Sequence, residues 1–306
     1  MQVLIPYALS DDPAAKPVLH ELQLPTLQTL LQRLSPEPAL TLPENSPISA
    51  HERLQAQAQG LDPQAPAWAA LRAHALGLPG AGASAWAFVT PSHWEIGQAR
   101  VSLGDPKALD LREDESRALL AAMQPFFAED GITLHFDTPL RWLAQGEPLR
   151  GLLGAAPERV VGRNVAPWLP DSPLLRRLQN EMQMLLYTHA VTDARAERGA
   201  MAVNSFWLSG GGALSTVPAK VQPLLVHEHL VAAAVQGDWA RWARDWQALD
   251  AELVPMQAAL EAGQSVTLTL CSELVARRYT PAPRSAWARL LQRFRPQPLS
   301  DILGPT

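Results

Sequence analysis

Residues 85–208 alternate between the two hydrophobic periodicities that distinguish strands from helices. Strand-like runs occupy 85–90, 132–136, 139–144 and 202–208, and amphipathic helical runs occupy 114–131 and 171–190. In the second helical run, Ser172 is the expected N-cap and Pro173 the first helical residue. The resulting order, β-α-β-β-α-β, predicts a ferredoxin-like α+β domain.

Patterns on both sides of this segment predict a second domain. Strands are expected at 3–10, 224–229 and 265–273, and helices at 24–34, 49–59, 66–76, 238–263 and 285–294. The small residues of 77–84 mark a boundary. We therefore predict an α/β core domain formed by 1–83 and 213–306, interrupted by an inserted α+β domain at 84–212.

The composition excludes several classes of function. The net charge is −5 and the pI about 5.9, so no overall positive field would draw the chain to nucleic acid or to a membrane. No apolar run approaches the roughly 20 residues that span a bilayer, and the first residues lack the basic start of a signal peptide. Cys271 is the only cysteine, which suits a reducing compartment. We expect a soluble cytoplasmic protein.

The segment LLYTHAVTDARAERGAMAVNSFWLSGGG, residues 185–212, resembles part of the archaeal-type, cofactor-independent phosphoglycerate mutases. That family reads roughly His-Pro-Val-Asn, Arg, Gly, Asn and Trp-Leu-Trp-Gly-x-Gly where this chain has His189 to Thr192, Arg195, Gly199, Asn204 and Trp207 to Gly212. Residues 24–34, 60–63 and 156–170 are similar to further segments of the family, in the same order along the chain.

This resemblance implies an alkaline-phosphatase-like α/β domain that holds two metal ions and a nucleophilic serine. A second domain is inserted into it and closes over the phosphoglycerate. The fold class expected here is a reduced α/β core of that kind, interrupted by the ferredoxin-like α+β domain. The chain is also similar to bacterial proteins described as regulation of pathogenicity factors protein E, a description that implies a regulatory association.

The positions that would hold the metal ions depart from the family pattern. Tyr7-Ala8 stands where the family has a metal-binding Asp-Gly, and Cys271-Ser272 stands where it has Asp-His. The serines of 44–52 lie near the expected nucleophile but outside its sequence context. Two-metal phosphoryl transfer needs converging carboxylates and imidazoles. We therefore predict a catalytically inactive protein without a cofactor, with a regulatory or binding function. The alternative is a phosphomutase or phosphatase that is metal-independent or whose site is rebuilt from other residues.

A residual pocket for a small anionic metabolite is expected where the inserted domain faces the core. The residues predicted to form it are Arg163, Asn164, Arg195, Asn204, Trp207 and Gly211. In this hypothesis Arg195 binds a phosphate or carboxylate through two N–H groups and Asn204 donates to it. The alternative is that the glycines of 210–212 form a structural turn and that Arg195 pairs with Asp193 or Glu197 on the surface.

Three other features have interpretations that need no ligand. His227 and His229 would share one face of a strand at a spacing that suits zinc, but the neighbouring sequence offers no third ligand, so a half-buried His pair is the default. The tryptophans of 238–263 repeat with helical period and indicate a core-facing ridge. Cys271, without a neighbouring base, is interpreted as a small buried apolar residue.

The region between Leu274 and Ser300 has six arginines and no acidic residue. This local positive charge predicts a docking surface for an acidic protein partner. The residues predicted to form it are Arg284, Arg289, Arg293 and Arg295. A solvated helix face paired with acids from elsewhere in the fold is the alternative. Nucleic acid is disfavoured as a target because the region lacks lysine and the rest of the chain would repel phosphate.

Overall fold

The computed structural model describes residues 1–98, 100–218, 221–281 and 298–304. Its class is mixed α/β. Within the described residues the strands are, in chain order, β1 (Gln2–Ile5), β2 (Ser35–Pro36), β3 (Leu40–Thr41), β4 (Trp86–Ser92), β5 (Trp94–Ile96), β6 (Val101–Leu103), β7 (Thr133–Thr138), β8 (Arg141–Gln145), β9 (Ser205–Gly212), β10 (Leu225–Val226), β11 (Thr267–Cys271) and β12 (Val275–Thr280).

The helices in the same parts of the chain include short ones of four to six residues. They are α1 (Lys16–Glu21), α2 (Pro25–Arg33), α3 (Ala50–Ala58), α4 (Trp68–Ala75), α5 (Glu113–Glu129), α6 (Pro157–Val160), α7 (Pro173–Tyr187), α8 (Ala190–Glu197), α9 (Val231–Gln236), α10 (Trp239–Glu252), α11 (Val254–Glu261) and α12 (Leu299–Leu303).

The chain divides into two compact units. A discontinuous unit is formed by the described residues of 1–58 and 221–306, and a continuous unit by those of 59–220. The sequence-based boundary at 84 differs from this division, since α4 lies in the continuous unit. Arg72 on α4 forms an ion pair with Asp137 on β7, at 2.7 Å. The Cβ atom of Trp68 lies close to Gly210 on β9. These contacts explain why the continuous unit begins before the small residues of 77–84.

The discontinuous unit is built on a mixed sheet with strand order β10-β1-β11-β12-β2, and β3 also pairs with β12. Strand β1 runs parallel to β10 and to β11, whereas β12 is antiparallel to its neighbours. The strands expected at 3–10 and 224–229 therefore share one sheet. The carboxyl ends of β1, β10 and β11 lie at the same edge, which is where ligands commonly bind in parallel α/β sheets.

The tryptophan ridge of α10 packs into the core of this unit, as its helical spacing predicts. Trp242 and Trp246 are fully buried with Leu249 and Leu253. The indole Nε1 of Trp242 donates to the backbone oxygen of Tyr7 at 2.8 Å. The single helix expected over 238–263 is instead divided into α10 and α11, because α11 has proline in its first turn, where the missing N–H is tolerated.

The sheet of the continuous unit has strand order β7-β8-β4-β9, and every pairing in it is antiparallel. Phe127 of α5 and Met182 of α7 belong to the same buried cluster as Phe206 of β9. The predicted N-cap of α7 is confirmed, since the side chain of Ser172 accepts a hydrogen bond from the backbone N–H of Leu175. Strands β5 and β6 form a separate hairpin.

Candidate functional site

The strand ends at which the resemblance places metal ligands are adjacent in the discontinuous unit. Ile5 pairs with Leu270 across β1 and β11, and the backbone N–H of Leu9 donates to the oxygen of Cys271 at 3.1 Å. Ala8 and Cys271 are fully buried, and Tyr7 is nearly so. Burial raises the pKa of the Cys271 thiol, which disfavours the thiolate form that binds metals. These positions are filled by neutral side chains.

The serines near the expected nucleophile have structural roles. The Ser49 hydroxyl donates to Oε2 of Glu52 at 2.8 Å. In return, the backbone N–H of Glu52 donates to the Ser49 hydroxyl at 3.3 Å. The Glu52 carboxylate also accepts from the backbone N–H of Ser49. This reciprocal pattern is a capping box at the start of α3. The Ser46 hydroxyl donates to the oxygen of Ile48 at 2.7 Å.

The three glycines of 210–212 belong to strand β9 and not to a turn after it. A Cβ atom at Gly211 would lie 2.7 Å from the backbone oxygen of Leu152, and one at Gly210 would lie 2.9 Å from the ring of Phe88. Gly154 has a matching constraint, because its Cβ would lie 2.4 Å from the oxygen of Leu208. Gly211 and Gly154 therefore allow the segment around Leu152 to approach β9 closely, and Gly210 leaves room for the Phe88 ring.

Asn204 and Trp207 hold the segment around Trp94 in place. The Asn204 side chain accepts from the backbone N–H of Trp94 at 2.7 Å and donates to its carbonyl at 2.9 Å. The Trp207 indole donates to the backbone oxygen of Ala155 at 2.8 Å, and its ring lies 6.2 Å from that of Trp94. Asn164 forms an isolated bridge with Ser102 on β6.

A small cavity lies beside Trp207 within the continuous unit. Its lining includes Trp168, Gln179 and Leu208, and its volume is about 10 Å³, close to the least space that holds one water. Arg159 is fully buried nearby, with its guanidinium carbon 5.0 Å from the ring centroid of Trp168. Sequence reasoning missed Arg159, because burial of an arginine depends on remote packing.

Arg195 is fully buried and directs its guanidinium at protein atoms. Nη1 donates to Oε2 of Glu115 at 2.6 Å, Nε donates to the oxygen of Met201 at 2.8 Å, and Nη2 donates to the oxygen of Leu109 at 2.5 Å. Neither the predicted anion clamp nor a surface pair with Asp193 or Glu197 describes this arrangement. The structure places the Arg195 guanidinium against Glu115 and the backbone oxygens of Met201 and Leu109.

The Glu115 carboxylate is the centre of this polar cluster. Arg198 also forms an ion pair with it, and the backbone N–H of Arg112 donates to it at 3.2 Å. Burial by itself raises the pKa of Glu115, but the hydrogen bonds from Arg198 and Arg112 and the charge of Arg195 lower it to about 2. Glu115 is therefore a buried carboxylate that stays ionised at neutral pH.

The other predicted pocket residues are distributed along the continuous unit. Arg163 is exposed, and Asn164 beside it is half-buried and accepts from the backbone N–H of Ala166 at 3.3 Å. Gly211 contacts Leu152, as described above. The structure thus joins Asn204 and Trp207 around Trp94, whereas Arg195 and Gly211 have separate partners.

The histidine pair follows a strand that is shorter than predicted. Strand β10 ends at Val226, so His227 and His229 lie in the loop after it and not on one strand face. The structure adds Glu252, the last residue of α10. His227 Nδ1 lies 3.0 Å from Glu252 Oε2, and His229 Nε2 lies 3.7 Å from Glu252 Oε1. The spacing of the tryptophans along α10 predicts which side of the helix Glu252 occupies. It does not predict that Glu252 lies close to the histidines.

The predicted docking residues Arg284, Arg289, Arg293 and Arg295 lie outside the described residues. Two other arginines of that region have partners elsewhere in the chain, one through a hydrogen bond and one through an ion pair. Arg277 donates to the oxygen of Ile302 at 2.6 Å, and Arg278 lies 3.9 Å from the Glu37 carboxylate. Among the residues that the structure describes, no helix is both long and apolar enough to cross a membrane.

The sequence of this chain matches no protein-family model and no curated protein. Several solved structures are similar to the chain, and two of them are described here. One is a cofactor-independent phosphoglycerate mutase from Thermoplasma acidophilum DSM 1728, with 14% identity and a TM-score of 0.40 over 91% of this chain and 89% of that one. The other is the PH0037 protein from Pyrococcus horikoshii, with 11% identity and a TM-score of 0.47 over 92% of this chain and 87% of that one.

Proposed function

We propose that this chain is a phosphoglycerate-mutase-like protein that lacks two-metal phosphoryl transfer and acts in the cytoplasm as a regulatory or binding protein. One observation carries the proposal. The adjacent ends of β1 and β11 bear Tyr7, Ala8 and Cys271, all buried. Phosphoryl transfer of this kind depends on metal ions that neutralise the transferring group. A methyl group, a phenol and a neutral thiol supply no such ligand set.

The proposal includes a ferredoxin-like interpretation of the β-α-β-β-α-β segment. The strand order β7-β8-β4-β9 and the fully antiparallel pairing support it. In chain order, the first and third strands of the segment, β4 and β8, are central in that sheet. The second and fourth strands, β7 and β9, are at its edges.

A small anionic metabolite is the proposed ligand, and its binding would depend on Arg163 and Asn164. Arg163 is exposed, and Asn164 lies beside it against the β5–β6 hairpin. Arg195 is buried with Glu115, and the proposal therefore assigns it no direct contact with the ligand. An acidic protein partner for the arginine-rich segment is a further part of the proposal.

The first test is catalysis. The full chain, supplied with Mn²⁺ or Mg²⁺, is assayed for interconversion of 3-phosphoglycerate and 2-phosphoglycerate beside an active mutase. We expect no turnover above the rate without protein. Turnover that needs the metal and is removed by a chelator would contradict the proposal and support the alternative of a rebuilt phosphomutase.

The second test is binding. Thermal unfolding is followed with phosphoglycerates, sugar phosphates and nucleotides, since ligand at 100 times its Kd stabilises the folded state by about 2.7 kcal/mol. We expect stabilisation by one class of these anions, reduced in Arg163→Ala and kept in the control Arg176→Ala, which changes another exposed arginine. Equal stabilisation of both variants would exclude Arg163 from the site, and the absence of any stabilisation would exclude these ligands.

A further inference from the structure

Two imidazoles and a carboxylate converge in the discontinuous unit. The ligand-bearing atoms of His227, His229 and Glu252 all lie within 4.8 Å of one another. His227 follows β10 directly, and its backbone N–H still bonds to the oxygen of Leu4 on β1 at 3.0 Å. The cluster therefore lies at the carboxyl edge of the parallel strands, where α/β sheets commonly bind ligands.

Only one of the two histidines lies at hydrogen-bond distance from Glu252. The contact of 3.0 Å between His227 and Glu252 has hydrogen-bond length, but the 3.7 Å between His229 and Glu252 is too long for one. Two ligands about 2.1 Å from a tetrahedral zinc ion lie about 3.4 Å apart. The two separations, which end on different oxygens of Glu252, lie on either side of that value, and the three ligand-bearing groups lie within 4.8 Å of one another.

We propose that His227, His229 and Glu252 bind one divalent transition-metal ion, of which Zn²⁺ is the best-suited example. Two nitrogen donors and one oxygen donor favour such an ion over Mg²⁺ or Ca²⁺, which prefer oxygen alone. Three protein ligands leave a fourth position. His229 and Glu252 are half-exposed, so that position is open to water or to an exogenous ligand.

The packing of α10 positions one of the ligands. The ridge of α10 fixes the position of Glu252, because Trp246 and Leu249 are buried in the preceding turns. The ion would join the end of α10 to the loop after β10. This site uses none of the positions expected to bind metal from the resemblance, and it is independent of phosphoryl transfer.

The experiment is a Zn²⁺ titration of the full chain in competition with a chromogenic chelator. We expect the wild type to bind one equivalent, and His229→Gln and Glu252→Gln to bind at least about 100-fold more weakly, a loss larger than the 10–100-fold typical of outer-shell changes. His20→Gln, which changes an exposed histidine on α1, serves as the control and should match the wild type.

A second measurement separates coordination from adventitious binding. Co²⁺ added to the wild type should give the intense visible absorption of a four- or five-coordinate ion, and both ligand variants should give the weak spectrum of the hydrated ion. Both substituted side chains are half-exposed, so circular dichroism should show folded variants. A wild type that binds no Zn²⁺ equivalent, or ligand variants that bind as tightly as the wild type, would overturn the proposal.

Discussion

Replacing Glu115 with glutamine should destabilise the protein strongly, because Glu115 neutralises a buried cation. The Arg195 side chain is 0% exposed and that of Glu115 is 5% exposed, with 2.6 Å between Nη1 and Oε2. Glutamine keeps the size of the side chain but removes its charge. In Glu115→Gln, Arg195 would remain buried without a counter-charge.

The expected decrease in the free energy of unfolding can be estimated in two ways. Removing one partner of a buried ion pair typically costs about 3–5 kcal/mol. The folded protein lowers the pKa of Glu115 from 4.5 to about 2, which corresponds to about 3 kcal/mol of preference for the ionised form. Arg195→Met should cost less than Glu115→Gln, since Glu115 would keep its ion pair with the partly exposed Arg198.

The pH dependence has a definite sign. A carboxyl whose pKa is lowered on folding stabilises the protein fully above its unfolded value, and this contribution disappears as the pH falls through the folded value. The difference in stability between the wild type and Glu115→Gln should therefore be constant above about pH 5 and shrink between pH 4.5 and about 2.

The assay is urea unfolding at pH 7, repeated at several lower pH values, with circular dichroism as the signal. Glu113→Gln is the matched control, because Glu113 lies in the same turn of α5 but is exposed, as is its partner Arg117. Such surface pairs contribute about 0.3–0.5 kcal/mol. If Glu115→Gln loses no more stability than Glu113→Gln, Glu115 does not compensate a buried charge and the reasoning is refuted.

Two further substitutions test the packing of the continuous unit by the same unfolding assay. Gly211→Ala would place Cβ 2.7 Å from the oxygen of Leu152, so we expect the free energy of unfolding to fall by about 1–3 kcal/mol. Gly82→Ala is the control and should be close to neutral, because its Cβ would meet no atom within 4 Å. Equal effects of the two substitutions would refute the close-approach explanation. Asp137→Asn removes a buried carboxylate from two arginine partners that are themselves partly exposed. We expect the free energy of unfolding to fall by about 1.5–3 kcal/mol. A neutral result would mean that these ion pairs contribute nothing to holding α4 on β7.

The sequence by itself determined the features that depend on neighbours a few residues apart. The hairpin of β7 and β8, the N-cap of α7 at Ser172 and the buried ridge of α10 follow from spacings of two, three and four residues, which set side-chain direction along a strand or helix. The sequence also shows directly which residues follow β1 and end β11, and the proposed function depends on those residues. The split between α10 and α11 at Pro255 was also readable in principle, because proline limits the preceding helix.

Only the tertiary structure decided which remote groups meet. Arg195 and Glu115 are 80 residues apart, and the Asp250 carboxylate accepts from the backbone N–H of Leu27 across 223 residues. Gly211 of β9 is required by the approach of Leu152. Glu252 reaches His227 because α10 ends beside the loop after β10. Ion pairs, close backbone approaches and metal ligands require side chains a few ångströms apart, and that distance is set by how helices pack on sheets. Periodicity along the chain records which face of an element is buried, but not which partner lies against it.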